Sequence, residues 1–165
     1  MNAAFSGSFD PPTLGHLDII RRSAALFDDV TVVVAENRLK NYLFSAEERL
    51  ELVSDLVKPW KNVSVALCTG LIVGFLKERG ISLLIRGVRG GGDFSYEVEL
   101  SMMNRALGGG VETVFLATSP EFLVIRSSAI KELASFGADV SAMVPPAVEA
   151  ALGAKFPVPG DPRKR

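Results

Sequence analysis

Short apolar stretches alternate along the chain with longer stretches in which apolar residues recur every three or four positions. The short stretches lack strict polar alternation, which is typical of strands buried on both faces of a sheet. The longer stretches have the period of amphipathic helices. Five strands are predicted, over residues 3–6, 30–35, 63–67, 83–86 and 113–117.

A helical pattern follows each of these strands. The first covers residues 14–27, and its inward stripe consists of Leu17, Ile20, Ala24 and Phe27. The second opens at Ser45, where a glutamate three positions later completes a capping-box pattern. Further helices are predicted over 71–78, over 93–107 with Asp93 as N-cap, after residue 127, and after the Pro145-Pro146 pair.

This alternation of strand and helix predicts an α/β fold with a doubly wound, five-stranded parallel sheet of the Rossmann-like kind. No internal repeat or linker divides the chain, so residues 1–156 are interpreted as a single domain. Residues 157–165 are rich in proline and charge, and we expect them to form a disordered tail.

Composition excludes several classes of protein. Hydrophobic residues make up 48% of the 165, too many for a disordered chain, and a net charge of −1 gives no overall field toward nucleic acid or a membrane. No apolar run approaches the ~20 residues of a membrane helix, and no signal peptide is visible. A single cysteine, Cys68, suits a reducing cytoplasm, where we expect the protein to be. With one histidine and one cysteine, no metal site built from protein ligands is expected.

The most informative stretch runs from Ser6 to His16 and reads as strand end, glycine-containing turn and helix start. Backbone N–H groups at such a turn, together with the helix dipole, form a site for an anion such as phosphate. His16 is the chain's only histidine and falls at this helix start. Gly15 beside it lets a ligand approach the backbone closely. Taken alone, His16 is more readily interpreted as a cap or surface residue, but its neighbours favour a donor to a phosphoryl oxygen.

Two other segments also follow strands of the predicted sheet. Arg86 and Arg89 come after the fourth strand, and Ser127 and Ser128 open a helix after the fifth. Ligands of open parallel sheets bind at the carboxyl ends of the strands, where arginine forks bind phosphate. For each segment an ordinary structural role, as solvated charge or helix cap, remains an alternative. The coincidence of three such segments predicts one phosphate-binding crevice.

Other nucleotide and hydrolase motifs are absent from the sequence. It contains no G-x-x-x-x-G-K-[ST], no G-x-G-x-x-G and no G-x-S-x-G. The basic residues at the end of the chain are too few to indicate nucleic-acid binding.

The segments Gly7-Ser8-Phe9-Asp10-Pro11 and Thr13-Leu14-Gly15-His16 together resemble the signature of nucleotidyltransferases with a (H/T)-x-G-H motif. Ile85-Arg86-Gly87-Val88-Arg89, Asp93-Phe94-Ser95-Tyr96-Glu97, Met103-Asn104 and Ser127-Ser128 are similar to segments of the bacterial phosphopantetheine adenylyltransferases. The resemblance covers about residues 2–155. The first motif identifies only the superfamily, whereas R-G-x-R with D-F-x-Y-E is more specific.

The resemblance implies a nucleotidyltransferase fold and an activity, transfer of AMP from ATP to 4′-phosphopantetheine to give dephospho-coenzyme A and pyrophosphate. It implies Mg²⁺ held mainly by the ATP phosphates, a homohexamer, and coenzyme A as a feedback inhibitor. The ATP site would comprise Ser8, Phe9, His16, Gly87, Val88, Arg89, Glu97, Phe122, Leu123, Val124, Ile125, Arg126, Ser127 and Ser128. The acceptor site would comprise Ser8, Lys40, Gly70, Leu71, Ile72, Arg86, Met103 and Asn104.

The chain departs from the family pattern at several positions. Ser6 stands where a proline is common, Ser8 where many members have threonine, and Arg126 where the first of three serines is usual. The loop before Lys40 is also unlike the usual short loop with proline, which weakens the assignment of Lys40. The protonation state of His16 stays open at this stage, because a helix start lowers the pKa of an imidazole and bound phosphate raises it.

The expected chemistry is direct in-line attack of the acceptor phosphate on the α-phosphorus of ATP, with His16 as the stabilising donor and no general base. Three alternatives remain. They are adenylyl or cytidylyl transfer to another acceptor such as nicotinamide mononucleotide, nucleotide binding without turnover, and a flavin-binding or electron-transfer protein of the same fold.

Overall fold

A five-stranded, all-parallel sheet forms the centre of the molecule in a computed structural model that describes residues 1–107 and 110–157. Its strands are β1 (Asn2–Gly7), β2 (Asp29–Ala35), β3 (Val63–Cys68), β4 (Leu83–Val88) and β5 (Glu112–Ala117). The strand order is β3-β2-β1-β4-β5, which confirms the doubly wound α/β fold. Two glycines of the run at 108–110 and the predicted tail from residue 158 onward lie outside the described residues.

In the described part of the chain, six helices and one short 3₁₀ turn accompany the sheet. The helices are α1 (Leu14–Leu26), α2 (Ala46–Val57), α3 (Ile72–Glu78), α4 (Gly91–Ala106), α5 (Ser127–Ser135) and α6 (Pro146–Lys155). The Ser45 hydroxyl accepts from the Glu48 N–H, and the Glu48 carboxylate accepts from the Ser45 N–H, so the predicted capping box of α2 is confirmed. The 3₁₀ turn, at Pro120–Phe122, was not predicted from the sequence.

Alternate residues of β1 and β2 enter two cores on opposite faces of the sheet. Phe5 and Val32 pack with α1 and α2, whereas Ala4 and Val33 pack with Leu76 of α3. All four sheet residues are buried, as the unbroken apolar runs predicted. A third cluster joins α5 and α6 to the segment that precedes α2. The central strands therefore hold the turn after β1 on a rigid base.

Three details of the helices differ from the sequence-based expectation. Helix α1 buries Asp18, Ile19, Ile20 and Ser23 rather than the predicted stripe, of which only Ile20 is buried. Asp18 can be buried because its carboxylate pairs with two arginines and accepts from the Ser119 hydroxyl. Helix α4 begins at Gly91 with Gly90 as N-cap, so it starts two residues earlier than predicted and Asp93 is not the N-cap.

Candidate active site

The segments after β1, β4 and β5 meet at the carboxyl edge of the sheet because these three strands are neighbours. They surround a cavity of about 600 Å³. Five cationic side chains and three carboxylates line it, so its wall carries an excess of positive charge although the whole chain has a net charge of −1. The cations are Lys40, Arg86, Arg89, Arg126 and Lys131, and the carboxylates are Asp10, Asp93 and Glu97. This balance suits a polyanionic ligand.

The turn between β1 and α1 is fixed from several sides. Phe9 adopts a left-handed backbone conformation (φ 49°) and its ring is buried against Phe5. The next residue, Asp10, is 4% exposed, and its carboxylate accepts from the backbone N–H groups of Leu43 and Phe44. The turn that carries the first motif is therefore bonded to the segment before α2.

His16 has one ring nitrogen occupied by its own helix cap. The backbone N–H of Thr13 donates to Nδ1 of His16 across 3.0 Å, and the Thr13 hydroxyl accepts from the His16 N–H in return. Since Nδ1 accepts this hydrogen bond, a neutral ring carries its proton on Nε2. The imidazole lines the cavity beside the Phe9 ring, with 5.0 Å between ring centroids.

The His16 imidazole is neutral at physiological pH. Burial is the main cause that lowers the pKa of His16 from 6.5 to about 4, and the charges of Arg89 and Arg86 add to it. On the question that the sequence left open, a pKa of about 4 favours the neutral form of the ring. A neutral ring donating through Nε2–H is a fixed dipole of the kind that stabilises developing negative charge.

Arg86 points into the crevice, as predicted, but it is already engaged. Its Nε and Nη2 donate to the Glu97 carboxylate at 2.7 and 2.6 Å. Its Nη1 donates to the carbonyl and the hydroxyl of Ser6 at 2.8 and 3.0 Å. Glu97, which lies on α4, is only 8% exposed and has its charge balanced by this pairing.

Two further pairs complete the polar lining. The Arg89 guanidinium donates to the carboxylate of Asp93, and the amine of Lys131 donates to that of Asp10 across 2.7 Å. Burial acts to raise the pKa of Asp93, but the hydrogen bonds and charge of Arg89 outweigh it and hold that pKa below its ordinary range. All three carboxylates of the cavity are therefore ion-paired.

At the start of α5, Arg126 occupies the N-cap position, and Ser127 and Ser128 form the first turn. The Ser127 hydroxyl donates to the Pro11 carbonyl across 2.8 Å, so it ties α5 to the β1–α1 turn and does not cap its own helix. Phe122 closes the same side of the cavity near Gly15, with its Cβ 3.4 Å from the position of an added Gly15 Cβ.

A family model for cytidylyltransferase-like proteins matches residues 4–133, which include most of β1, all of β2 to β5 and all of the cavity lining. The chain belongs to the cytidylyltransferase-like family. Two solved structures show the same architecture, with TM-scores of 0.67 and 0.55.

The first of these structures is a proposed nicotinate-nucleotide adenylyltransferase from Vibrio parahaemolyticus. It is 20% identical, and the match covers 93% of this chain and 91% of that one. The second is a lipopolysaccharide core biosynthesis protein from Thermoplasma volcanium, 26% identical, with 72% of this chain and 98% of that chain covered. These similarities confirm the nucleotidyltransferase fold and leave the acceptor open.

The cavity gathers most of the residues that sequence reasoning selected. They are Ser8, Phe9, His16, Lys40, Arg86, Gly87, Arg89, Glu97, Phe122, Ile125, Arg126, Ser127 and Ser128. The remaining selected residues do not line it; these are Gly70, Leu71, Ile72, Val88, Met103, Asn104, Leu123 and Val124. Leu71 and Met103 are 70% and 55% exposed, so their predicted contact with an acceptor stays a prediction.

Sequence reasoning missed several side chains of the wall, among them Asp10, Tyr42, Asp93 and Lys131. A signal for Lys131 was present, because it lies four positions after Ser127 on α5 and so shares its helix face. The partners of Asp10 lie more than 30 positions away in sequence, and no local pattern indicates them.

Within residues 1–107 and 110–157, no helix has the length and apolar character needed to cross a membrane. The same residues contain no cluster of three or more histidine, cysteine, aspartate or glutamate side chains suited to a metal ion. Each carboxylate of the cavity is instead engaged in an ion pair, Asp10 with Lys131, Asp93 with Arg89 and Glu97 with Arg86.

Proposed function

We propose that this member of the cytidylyltransferase-like family transfers AMP from ATP to 4′-phosphopantetheine, giving dephospho-coenzyme A and pyrophosphate. The observation that carries the proposal is the neutral His16 imidazole in one cavity with Arg86 and Arg89. The proposal of this particular acceptor rests on the R-G-x-R and D-F-x-Y-E segments. Their residues Arg86, Arg89 and Glu97 line that cavity.

In this reaction a phosphate oxygen of the acceptor attacks the α-phosphorus of ATP, and the bond to the bridging oxygen of pyrophosphate breaks. The attacking phosphate is already anionic, so no general base is needed. His16 donates Nε2–H to a non-bridging α-phosphate oxygen as charge builds there. Its Nε2 proton stays on the ring throughout, because a neutral imidazole is too weak an acid to release that proton near pH 7.

The cations of the wall bind and orient the two substrates. Arg89 and Arg126 lie on the side of α5 and suit the ATP phosphates, whereas Arg86 and Lys40 suit the phosphate of the acceptor. Mg²⁺, when bound with ATP, supplies further charge neutralisation on the phosphates. We also propose the remaining properties that the resemblance implies, namely a cytoplasmic homohexamer with coenzyme A as a feedback inhibitor.

An acceptor panel tests the proposal. Purified protein is incubated with ATP and Mg²⁺ and one of three acceptors, 4′-phosphopantetheine, nicotinate mononucleotide or nicotinamide mononucleotide, and pyrophosphate release is measured. A parallel set of reactions replaces ATP with CTP, because the family is named after cytidylyltransferases. We expect release only with ATP and 4′-phosphopantetheine.

Each other result of the panel contradicts the proposal in a different way. Pyrophosphate release with a nicotinate or nicotinamide nucleotide would show that the acceptor is a different one. Pyrophosphate release with CTP would show that the nucleotide donor is a different one. In both cases the reaction is still nucleotidyl transfer. Binding of ATP in a calorimeter without turnover of any acceptor identifies a nucleotide-binding protein instead. A visible flavin absorbance of the purified protein would favour the electron-transfer alternative.

A further inference from the structure

Lys40 lies in a short segment, residues 37–42, in which hydrogen bonds join Asn37 to Leu39, Lys40 and Tyr42. The backbone N–H of Asn37 donates to the Tyr42 hydroxyl across 2.6 Å. The Asn37 side-chain oxygen accepts from the Leu39 N–H, and its carbonyl accepts from the Lys40 N–H. The two ends of the segment are thus joined by one side-chain hydroxyl, and Lys40 lies between them at the cavity wall.

The ring of Tyr42 also stacks against a buried cation. The Arg49 guanidinium lies 4.0 Å from the centre of the ring, and Arg49 is fully buried. Arg49 in turn donates to the Ser8 carbonyl across 2.8 Å and to the Glu36 carboxylate across 3.2 Å. Tyr42 is therefore connected through Arg49 to the turn that carries the first nucleotide motif.

The two ends of this segment are held unequally. On the far side of Tyr42, the N–H groups of Leu43 and Phe44 donate to the buried Asp10 carboxylate. On the near side, residues 37–40 are all exposed and their bonds run to one another and to Tyr42. The Tyr42 hydroxyl consequently links the exposed residues 37–40 to the half of the segment that Asp10 fixes, while the chain before them is held at Glu36, whose N–H donates to the Cys68 carbonyl.

We propose that Tyr42 is a positioning residue for Lys40, holding its ammonium at the acceptor side of the cavity. This inference rests on the proposed function, in which Lys40 binds the acceptor phosphate. The Tyr42 hydroxyl orders the backbone of residues 37–40. The Tyr42 ring stacks on Arg49 and so fixes the position of the hydroxyl. The acceptor-binding cation and the nucleotide-binding turn then form one preorganised unit.

Hydrogen exchange tests the ordering without using any acceptor. The Tyr42→Phe variant keeps the ring on Arg49 and removes only the hydroxyl. We expect the amides of residues 37–40 to exchange about tenfold faster and the amides of α2 to exchange at an unchanged rate. The melting temperature should differ from that of the wild type by no more than about 2 °C. Tyr96→Phe is the matched control, because Tyr96 is 59% exposed on α4 and does not line the cavity.

Kinetics with 4′-phosphopantetheine and ATP test whether the hydroxyl acts through Lys40. Tyr42→Phe should raise KM for 4′-phosphopantetheine about fivefold, the effect of one lost hydrogen bond, and leave kcat and KM for ATP within about twofold. In a Lys40→Ala background the same substitution should change KM by less than about twofold. Lys40→Ala alone should raise it further than Tyr42→Phe does.

Two results would overturn the inference. One is unchanged exchange at residues 37–40 in Tyr42→Phe, which would remove the ordering whatever the enzyme's substrates are. The other is an equal rise in KM in the presence and absence of the Lys40 amine, which would mean that Tyr42 acts independently of Lys40. Failure of the wild type to turn over 4′-phosphopantetheine would overturn the proposed function, while the exchange measurement would still decide the role of Tyr42.

Discussion

The guanidinium of Arg86 and the carboxylate of Glu97 form a two-point ion pair, with N···O distances of 2.7 and 2.6 Å. With the two bonds to Ser6, four of the five N–H groups of Arg86 are engaged before any ligand arrives. A phosphate that binds Arg86 must therefore use the remaining N–H or displace the carboxylate. The residues assigned to the acceptor and to ATP are thus in direct contact with each other.

Replacing Arg86 by alanine should affect both binding and stability. KM for 4′-phosphopantetheine should rise at least ~10-fold because a charge-assisted contact is lost. Stability should fall by roughly 2 kcal/mol, less than the cost of breaking a fully buried pair, because cavity water reaches the unpaired Glu97. Chemical denaturation and initial rates measure the two effects.

A second substitution separates these effects. Arg86→Ala with Glu97→Gln removes the unpaired negative charge, so most of the lost stability should return while KM for the acceptor stays high. If stability does not recover in the double variant, the loss comes from packing and not from an uncompensated carboxylate. An unchanged KM in Arg86→Ala would show that this arginine does not bind the acceptor.

The imidazole of His16 should titrate far below the usual range. Because His16 is the chain's only histidine, its ring proton signals in an NMR spectrum of untagged protein need no assignment. We expect a midpoint near pH 4, since burial and the charges of Arg89 and Arg86 lower the pKa to about 4. A midpoint near 6.5 would contradict the neutral donor in the proposed mechanism.

The same shift has a consequence for stability. As the pH falls below 6.5, His16 of the unfolded chain becomes protonated, whereas His16 of the folded protein is not protonated until the pH reaches about 4. The contribution of the neutral ring is therefore complete above pH 6.5 and decreases as the pH falls from 6.5 to 4. The pH dependence of the free energy of unfolding across this interval should be shallower in His16→Ala than in the wild type.

Removing the His16 ring should slow the reaction without unfolding the protein. We expect His16→Ala to lower kcat by at least ~10²-fold, the usual effect of losing one preorganised donor. It also loses half of the α1 capping box, at a cost of about 1 kcal/mol. Ser45→Ala is the matched control, because it weakens the capping box of α2 by a similar amount while Ser45 does not line the cavity. Near-normal turnover of His16→Ala would remove the ring from the mechanism.

The sheet was predictable because its information is local. Each strand of the central sheet contains a run of three or more apolar residues, and each helix start that carries chemistry has a glycine, serine or threonine nearby. The predicted strand boundaries differ from the observed ones by at most two residues. Rules of topology then bring the ends of β1, β4 and β5 together.

The polar wall of the site was less predictable because its partners are distant in sequence. Nothing near Glu97 indicates that it will be buried, since its burial depends on Arg86 eleven positions earlier and on the strand that carries it. In the same segment, Phe94 and Tyr96 are 45% and 59% exposed in the single chain. Such pairings follow from the packing of elements and not from any one element's pattern.

Gly15 offers a test in which stability and binding should change in opposite directions. It is the second residue of α1, and a Cβ added there would lie 3.4 Å from the Cβ of Phe122, an ordinary contact. Gly15→Ala should therefore fold as well as the wild type or up to ~1 kcal/mol better. Because the methyl group would stand in the cavity beside His16, KM for ATP should rise at least ~10-fold.

Gly153→Ala is the matched control, since Gly153 lies within α6, has open space at its Cβ and does not line the cavity. It should gain a similar amount of stability and leave KM for ATP unchanged. Thermal unfolding and initial rates with varied ATP are measured for both variants. If Gly15→Ala binds ATP as well as Gly153→Ala does, the nucleotide does not approach the start of α1. The prediction of an anion site at that helix start would then be wrong.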